Sequence, residues 1–300
     1  MDGFFVFRAA VMESRRFGTC QRYYFAAACV DLPLLFREKS MTLHFQKYQG
    51  TGNDFVVVDD RNETFPVSQT LIARLCDRRF GIGADGLMLL QNHPDCNFRM
   101  VYFNADGNPG SMCGNGGRCM VGFAHSLGVF QGETVFEAAD GRHAAHIQDG
   151  LIHLKMNDVQ HVRREPDHDF LDTGSPHYVT FAENVEAMTH REIVRRGSAI
   201  RYSDAFAPGG TNVNFAEILP DRSLFVRTYE RGVEDETFSC GTGVTACALA
   251  ANYRNPCSPV AVRTKGGGLQ VSFRQVDEHA FTDIYLIGPA EKVFEGMVEI

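Results

Sequence analysis

No run of lysine or arginine forms a basic stripe in this chain of 300 residues, and its formal net charge is −8. A nucleic-acid-binding surface is therefore not expected. No apolar stretch reaches the roughly 18–20 residues that a membrane helix needs. The nearest candidate, 23–36, is short and contains Asp31 and Pro33. No two cysteines stand in CxxC spacing, and an odd count of nine cannot all pair. A disulfide framework is thus improbable, and a reducing, cytoplasmic setting fits better. Residues 1–40 lack the basic, apolar and small-residue order of a signal peptide, and they carry too many acids and too little serine for a transit peptide. With 44% hydrophobic and 22% charged residues, the composition is that of a soluble globular chain long enough for one large domain or two ordinary ones.

The first 40 residues show no clear periodicity, whereas Met41 begins a strand-like stretch. Met41 is expected to be the natural start and 1–40 an N-terminal extension outside the fold, with a genuine disordered arm as the alternative. Beyond it the pattern predicts short strands over 55–59, 87–90, 98–103, 134–137, 143–148 and 151–156, then over 177–181, 212–218, 223–229, 260–264, 269–274 and 282–287. Asp140-Gly141 and Asp149-Gly150 read as hairpin turns. Helices are predicted over 69–78, 116–127, 191–196 and 243–253; the last is apolar or small nearly all round, which marks a buried helix. Strands before and after a buried helix, twice over, predict an α+β fold. It would have two pseudo-symmetric halves, 41–158 and 159–300, each wrapping mixed and antiparallel strands around a central helix. The hairpin links argue against a doubly wound parallel sheet.

Two segments carry the chemistry. Met-Cys-Gly-Asn-Gly-Gly-Arg (112–118) and Ser-Cys-Gly-Thr-Gly-Val-Thr (239–245) each open a glycine-rich turn into a helix with a cysteine, Cys113 and Cys240. Unpaired backbone N–H groups at a helix start favour an anion, so the position is expected to favour the thiolate. A matched pair suggests one thiol taking a proton and the other giving one across a cleft. Cys119 and Cys247 fall inside the helices and are expected to be packing residues, as are Cys76, Cys96 and Cys257. No cysteine or histidine spacing suggests zinc. Gly81-Ile-Gly-Ala-Asp-Gly86 fits a dinucleotide fingerprint but follows a helix and precedes a strand, the reverse of the required context. Asn53, Asn104, Asn212, Glu230 and Arg231 sit at polar breaks beside strands, and together could bind a zwitterion.

Read in order, Gly-Thr-Gly-Asn-Asp-Phe (50–55), Phe-Gly-Ile-Gly-Ala-Asp-Gly (80–86), Asn-Ala-Asp-Gly (104–107), the two cysteine segments and Tyr-Glu-Arg-Gly (229–232) closely resemble the diaminopimelate epimerase family. The resemblance runs from Met41 to the C-terminus. It implies a cofactor-free isomerase, without a metal, that interconverts LL- and meso-diaminopimelate for lysine and peptidoglycan synthesis. It further implies Cys113 and Cys240 as the acid/base pair, and Asn53, Asn104, Asn212, Glu230 and Arg231 lining the substrate. Backbone at Gly114-Asn115 and Gly241-Thr242 would hold the reacting carboxylate, with His177 nearby. The chain would cross back between halves near its end, and a homodimer is compatible. Gly86 and Ser175 stand where many members have Gln and Asn, which puts fine specificity in question. The nearest rival is a sister two-cysteine racemase of proline, hydroxyproline or histidine. Asn115 argues against proline, because proline racemases tend to have His after the first Cys-Gly. A more distant rival is a non-catalytic protein that uses the cysteines as a redox switch.

Overall fold

The structure, a computed structural model, describes residues 41–300; the expectations for 1–40 lie outside the described residues. Strand Thr42–Gly50 turns through Thr51-Gly52 into Asn53–Asp59. Both turn residues have positive φ, 52° and 85°, the twist that joins antiparallel neighbours in a two-residue hairpin. The next strand, Gly86–Gln91, lies parallel to Asn53–Asp59, and Phe98–Asn104 returns antiparallel beside it. The second half repeats this. Pro176–Phe181 runs parallel to Asn212–Ile218, and Leu224–Glu230 returns antiparallel.

Among the described residues the four α-helices are α1 (Gln69–Cys76), α2 (Gly114–Ser126), α3 (His190–Arg201) and α4 (Gly241–Ala251). In α4 every residue but Thr242 is buried, as expected of a helix that is apolar all round. α2 and α4 pack against the strands of their own halves and against each other. α1 and α3 cover the opposite faces of those strands. Phe55 and Val57 point into the main core with Met88, Leu154, Leu249 and Leu286, whereas Val56 and Val58 pack with Ile72 and Leu75 of α1. Strands buried on both faces read as continuous apolar runs, which is why Phe-Val-Val-Val and Leu-Met-Leu-Leu show no alternation. In the second half, Val213 and Phe215 pack with Ile193 of α3, and Ala216 enters the main core.

Among the described residues all 17 strands join one hydrogen-bonded network. Two pairings tie the halves together: Leu151–Lys155 with Phe281–Gly288, and Thr42–Gly50 with Glu291–Glu299. That last strand, together with Val162–Arg164, Asp169–Asp172 and Asp235–Thr237, is additional to the sequence prediction. The helix bounds also shift. α2 and α4 begin two residues earlier than predicted, α1 ends at Cys76, and α3 runs on to Arg201.

Candidate active site

Cys113 and Cys240 are the N-cap residues of α2 and α4, both in extended backbone conformation. The Cys113 sulfur accepts from the Gly116 N–H at 3.2 Å, the bond that a capping oxygen would make. Its thiol reaches Asn53 Oδ1 at 3.9 Å. The Cys240 sulfur lies 3.4 Å from Thr242 Oγ1. The two helix starts touch. A Cβ on Gly241 would stand 3.2 Å from Gly114 Cα, and a Cβ on Gly114 would stand 3.5 Å from Gly241 Cα. Only glycine at both positions lets the backbones come this close. The residue after each cysteine is therefore in contact with its counterpart, which brings the two caps side by side.

Strand ends supply the surroundings, and the halves match. In the first half Asn53 and Asn104 come to the same edge, with Gly86 paired to Asn104. In the second, His177 pairs with Asn212, and Glu230 ends the next strand. Asn53 Nδ2 donates to Asp85 at 2.7 Å. Asn212 is locked from both ends: its amide donates to the Pro176 carbonyl at 3.1 Å and its oxygen accepts the Arg231 N–H at 2.8 Å. Asn115 is buried and bridges the halves, donating to the carbonyl of Ser239, next to Cys240, at 2.9 Å. The carbonyl of Thr242 accepts from Thr173 Oγ1 at 2.9 Å. Asn104 is exposed, Arg231 is half-buried, and the Arg231 guanidinium donates to Gly209 O at 3.4 Å. All of the expected site residues thus lie on the two helix starts or on the strand ends that feed them.

Burial works against the helix-start effect at both sulfurs. Burial pushes the Cys113 thiol up to about 11, against the Gly116 N–H that favours its anion, and Glu230 pushes it further the same way. Burial pushes Cys240 higher still, again with Glu230 adding to the effect. At both sulfurs desolvation acts against the helix-start N–H groups and outweighs them. The two also sense each other, the Cys113 charge disfavouring ionisation of Cys240. Glu230 is itself pushed up by burial and by Asp85. His177, with no exposed surface, is held down to about 3 by burial and then by the charge of Arg231. Its Nδ1 faces the Asn214 amide at 3.1 Å and its Nε2 has no partner.

Tyr102 belongs to this site and was not anticipated from the sequence. Its ring fills the space above Gly86 and Gly110, where added Cβ atoms would come within 2.5 Å and 2.4 Å of it. Burial, then the proximity of Cys113 and Asp85, pushes its hydroxyl well above the ordinary range. The signal available was the pair of glycines in tight surroundings. Arg118, a fully buried residue of α2, was also missed as anything but part of a motif.

The sequence pattern of diaminopimelate epimerase matches residues 45–163 and 170–293. The chain belongs to the diaminopimelate epimerase family. A diaminopimelate epimerase of Flavobacterium psychrophilum is 49% identical over 256 residues, 84% of this chain and 98% of the relative. One of Chlorobaculum tepidum is 40% identical over 262 residues, 84% of this chain and 99% of the relative. A solved phenazine biosynthesis protein of the PhzF family from Bacillus anthracis has a TM-score of 0.67 at 15% identity, covering 87% of this chain and 100% of its own. A probable proline racemase from Agrobacterium radiobacter has a TM-score of 0.60 at 17% identity, covering 85% of this chain and 92% of its own. These two share the fold.

Other features of this family member lie apart from the cysteine pair. A cavity of about 410 Å³ lined by His168, Tyr178, Ile200 and Phe206 holds none of the expected site residues. Among the described residues His93, Cys96 and Glu137 bring ligand atoms within 4.8 Å of one another, a metal-capable group that spacing along the chain did not suggest. Cys119 and Cys247 are fully buried as expected, as is Cys76, but Cys96 and Cys257 are only partly buried. No described helix is long and apolar enough to cross a membrane.

Proposed function

We propose that this chain interconverts LL- and meso-diaminopimelate by two-base proton transfer at one α-carbon, with Cys113 and Cys240 as the pair. The observation that carries this is the contact between the helix starts: each places a sulfur at its cap, one residue from the point of contact. Inversion needs a base on one face of a carbon and an acid on the other, and one thiolate with one thiol meets that need in either direction. The α-proton beside a carboxylate is a very weak acid. A desolvated thiolate is a stronger base than one in water, so the raised thiols suit the task once substrate has displaced water. The N–H groups of Gly114, Asn115, Gly241 and Thr242 are the natural place for the reacting carboxylate. They would stabilise the charge that moves onto it, an effect worth about 3–4 kcal/mol per donor in other enzymes. Asn53, Asn104, Asn212, Glu230 and Arg231, with His177 behind Asn212, would bind the distal zwitterion. The halves 41–158 and 159–300 then each contribute one cysteine. We place the reaction in the cytoplasm, on the route to lysine and peptidoglycan, since all seven described cysteines are free.

Incubating reduced protein with LL-diaminopimelate and following the meso form by chiral chromatography tests the activity. In deuterated water, early product should carry deuterium at the inverted carbon while recovered substrate carries little. Equal early labelling of both would sink the two-base assignment. Folded Cys113→Ala and Cys240→Ala proteins should each lose turnover almost completely.

A further inference from the structure

Among the described residues Arg118 is the largest side chain with no exposed surface. The charged partners it senses are not carboxylates but the sulfur positions of Cys119 and Cys113, and burial pulls its guanidinium down to about 10. Its acceptors are all neutral. Nε donates to Pro289 O at 3.4 Å and Nη1 to Gly114 O at 3.3 Å. Nη2 donates to Thr51 Oγ1 at 3.1 Å and Asn115 Oδ1 at 3.0 Å. A buried ion without a counter-ion is costly, and the start of a helix is the wrong end of the dipole for a cation. Two unfavourable placements at one spot are the kind of violation that a functional site sustains.

The hydrogen bonds say what the cation does. By donating to Asn115 Oδ1 it fixes which end of that amide faces which way, leaving Nδ2 to hold the Ser239 carbonyl beside Cys240. Through Gly114 O it also grips the residue after Cys113. One guanidinium therefore touches the start of α2 directly and the start of α4 through a single amide. The other titratable groups that bear on Cys113 are Glu230, Tyr102, Cys119 and Cys240, all of which are disfavoured partners for a thiolate. Arg118 is the cation set against them.

We propose that Arg118 is a positioning residue for the cysteine pair: it sets the spacing of the two helix starts through Gly114 and Asn115, and supplies the buried positive charge that a thiolate at Cys113 and a bound carboxylate offset. This rests on the two-cysteine reading above, and its test has a readout that needs no substrate. The pH dependence of iodoacetamide labelling is followed at Cys113 by peptide mass spectrometry in wild type, Arg118→Met and Arg118→Lys, alongside kcat and KM with diaminopimelate.

In Arg118→Met, labelling of Cys113 should shift up by about one pH unit, roughly ten-fold less label at a fixed pH below the midpoint. kcat should fall by about ten-fold or more, as the spacing loosens. In Arg118→Lys, which keeps the charge but loses the planar fork, the labelling profile should stay at the wild-type position while kcat falls. An Arg118→Met protein that melts like wild type and labels at the wild-type pH would overturn the charge role. Wild-type kcat in Arg118→Lys would overturn the positioning role, and that variant alone decides the proposal if Arg118→Met fails to fold. Wild-type protein that labels as expected yet turns over no diaminopimelate would count against the proposed function and leave Arg118 in place.

Discussion

Replacing Gly241 by alanine puts a methyl group 3.2 Å from Gly114 Cα and 2.9 Å from Leu286 Cδ2. Carbon atoms pack at about 3.5–4.0 Å, so each neighbour must yield by roughly half an ångström. Leu286 can turn; the backbone at Gly114 cannot, because the chain there carries Cys113 on one side and the first turn of α2 on the other. The helix starts must therefore part. A misplacement of about 1 Å costs on the order of 100-fold in rate, so half of that costs about ten-fold in kcat. Stability should change less, since overpacking of about 1–3 kcal/mol is offset by the roughly 1 kcal/mol by which alanine exceeds glycine in a helix. Adding Leu286→Ala removes the side-chain clash only, so the kcat deficit relative to Leu286→Ala alone should persist. Turnover is read by chiral chromatography and folding by thermal melting. A folded Gly241→Ala protein with wild-type kcat would refute the claim that contact between the helix starts sets the geometry of proton transfer.

His177 makes stability depend on pH. Unfolded, it takes a proton near 6.5; folded, it resists until about 3, so its contribution is complete above 6.5 and is lost as pH falls toward 3. By pH 5 the loss is about 2 kcal/mol, from some 1.5 pH units at roughly 1.4 kcal/mol each. Urea unfolding at pH 7 and pH 5 should record it, and His177→Gln should abolish that component. Gly86→Ala should destabilise by about 1–3 kcal/mol, since an added Cβ meets both the Phe103 carbonyl and the Tyr102 ring at 2.5 Å; a Tyr102→Leu background should remove the ring's share only, and an equal cost in both would show that the ring adds nothing to the carbonyl clash. Arg227 and Glu236 form a buried ion pair at 2.5 Å, their side chains 4% and 1% exposed. Arg227→Met should cost about 3–5 kcal/mol by stranding the carboxylate with only Lys265 nearby, and a cost near zero would refute that.

Where chain-local patterning decides the structure, the sequence was legible. The small-residue run of α4 could only be buried, and the turn at Asp149-Gly150, with φ of 52° and 76°, formed as its residues demand. Where distant segments decide, it was not. Gly114 and Gly241 look like loop, yet they open the first turns of helices, because close approach between halves overrides propensity. The same holds in α3, where Gly197 suggests a stop but instead lets the helix lie against Tyr229, whose Cβ an added methyl would meet at 2.3 Å. Glu291–Glu299 is mostly exposed and shows no alternation, so only its partner 249 positions away, as counted from Gln46 to Glu295, makes it a strand. In the site, motifs located the cysteines, but the balance of burial over helix ends at the two sulfurs depends on packing that no local pattern encodes.

The pairing of Thr42–Gly50 with Glu291–Glu299 bears on how the protein is made. As the ribosome extends the chain, strand Thr42–Gly50 has one flank satisfied by its hairpin mate and the other bare until Glu291–Glu299 has been translated. Closing so long a loop is slow, and a bare flank invites other chains. A nascent chain stalled just short of 291 should therefore aggregate more readily than one that extends past 299, where Glu291–Glu299 can cover that flank.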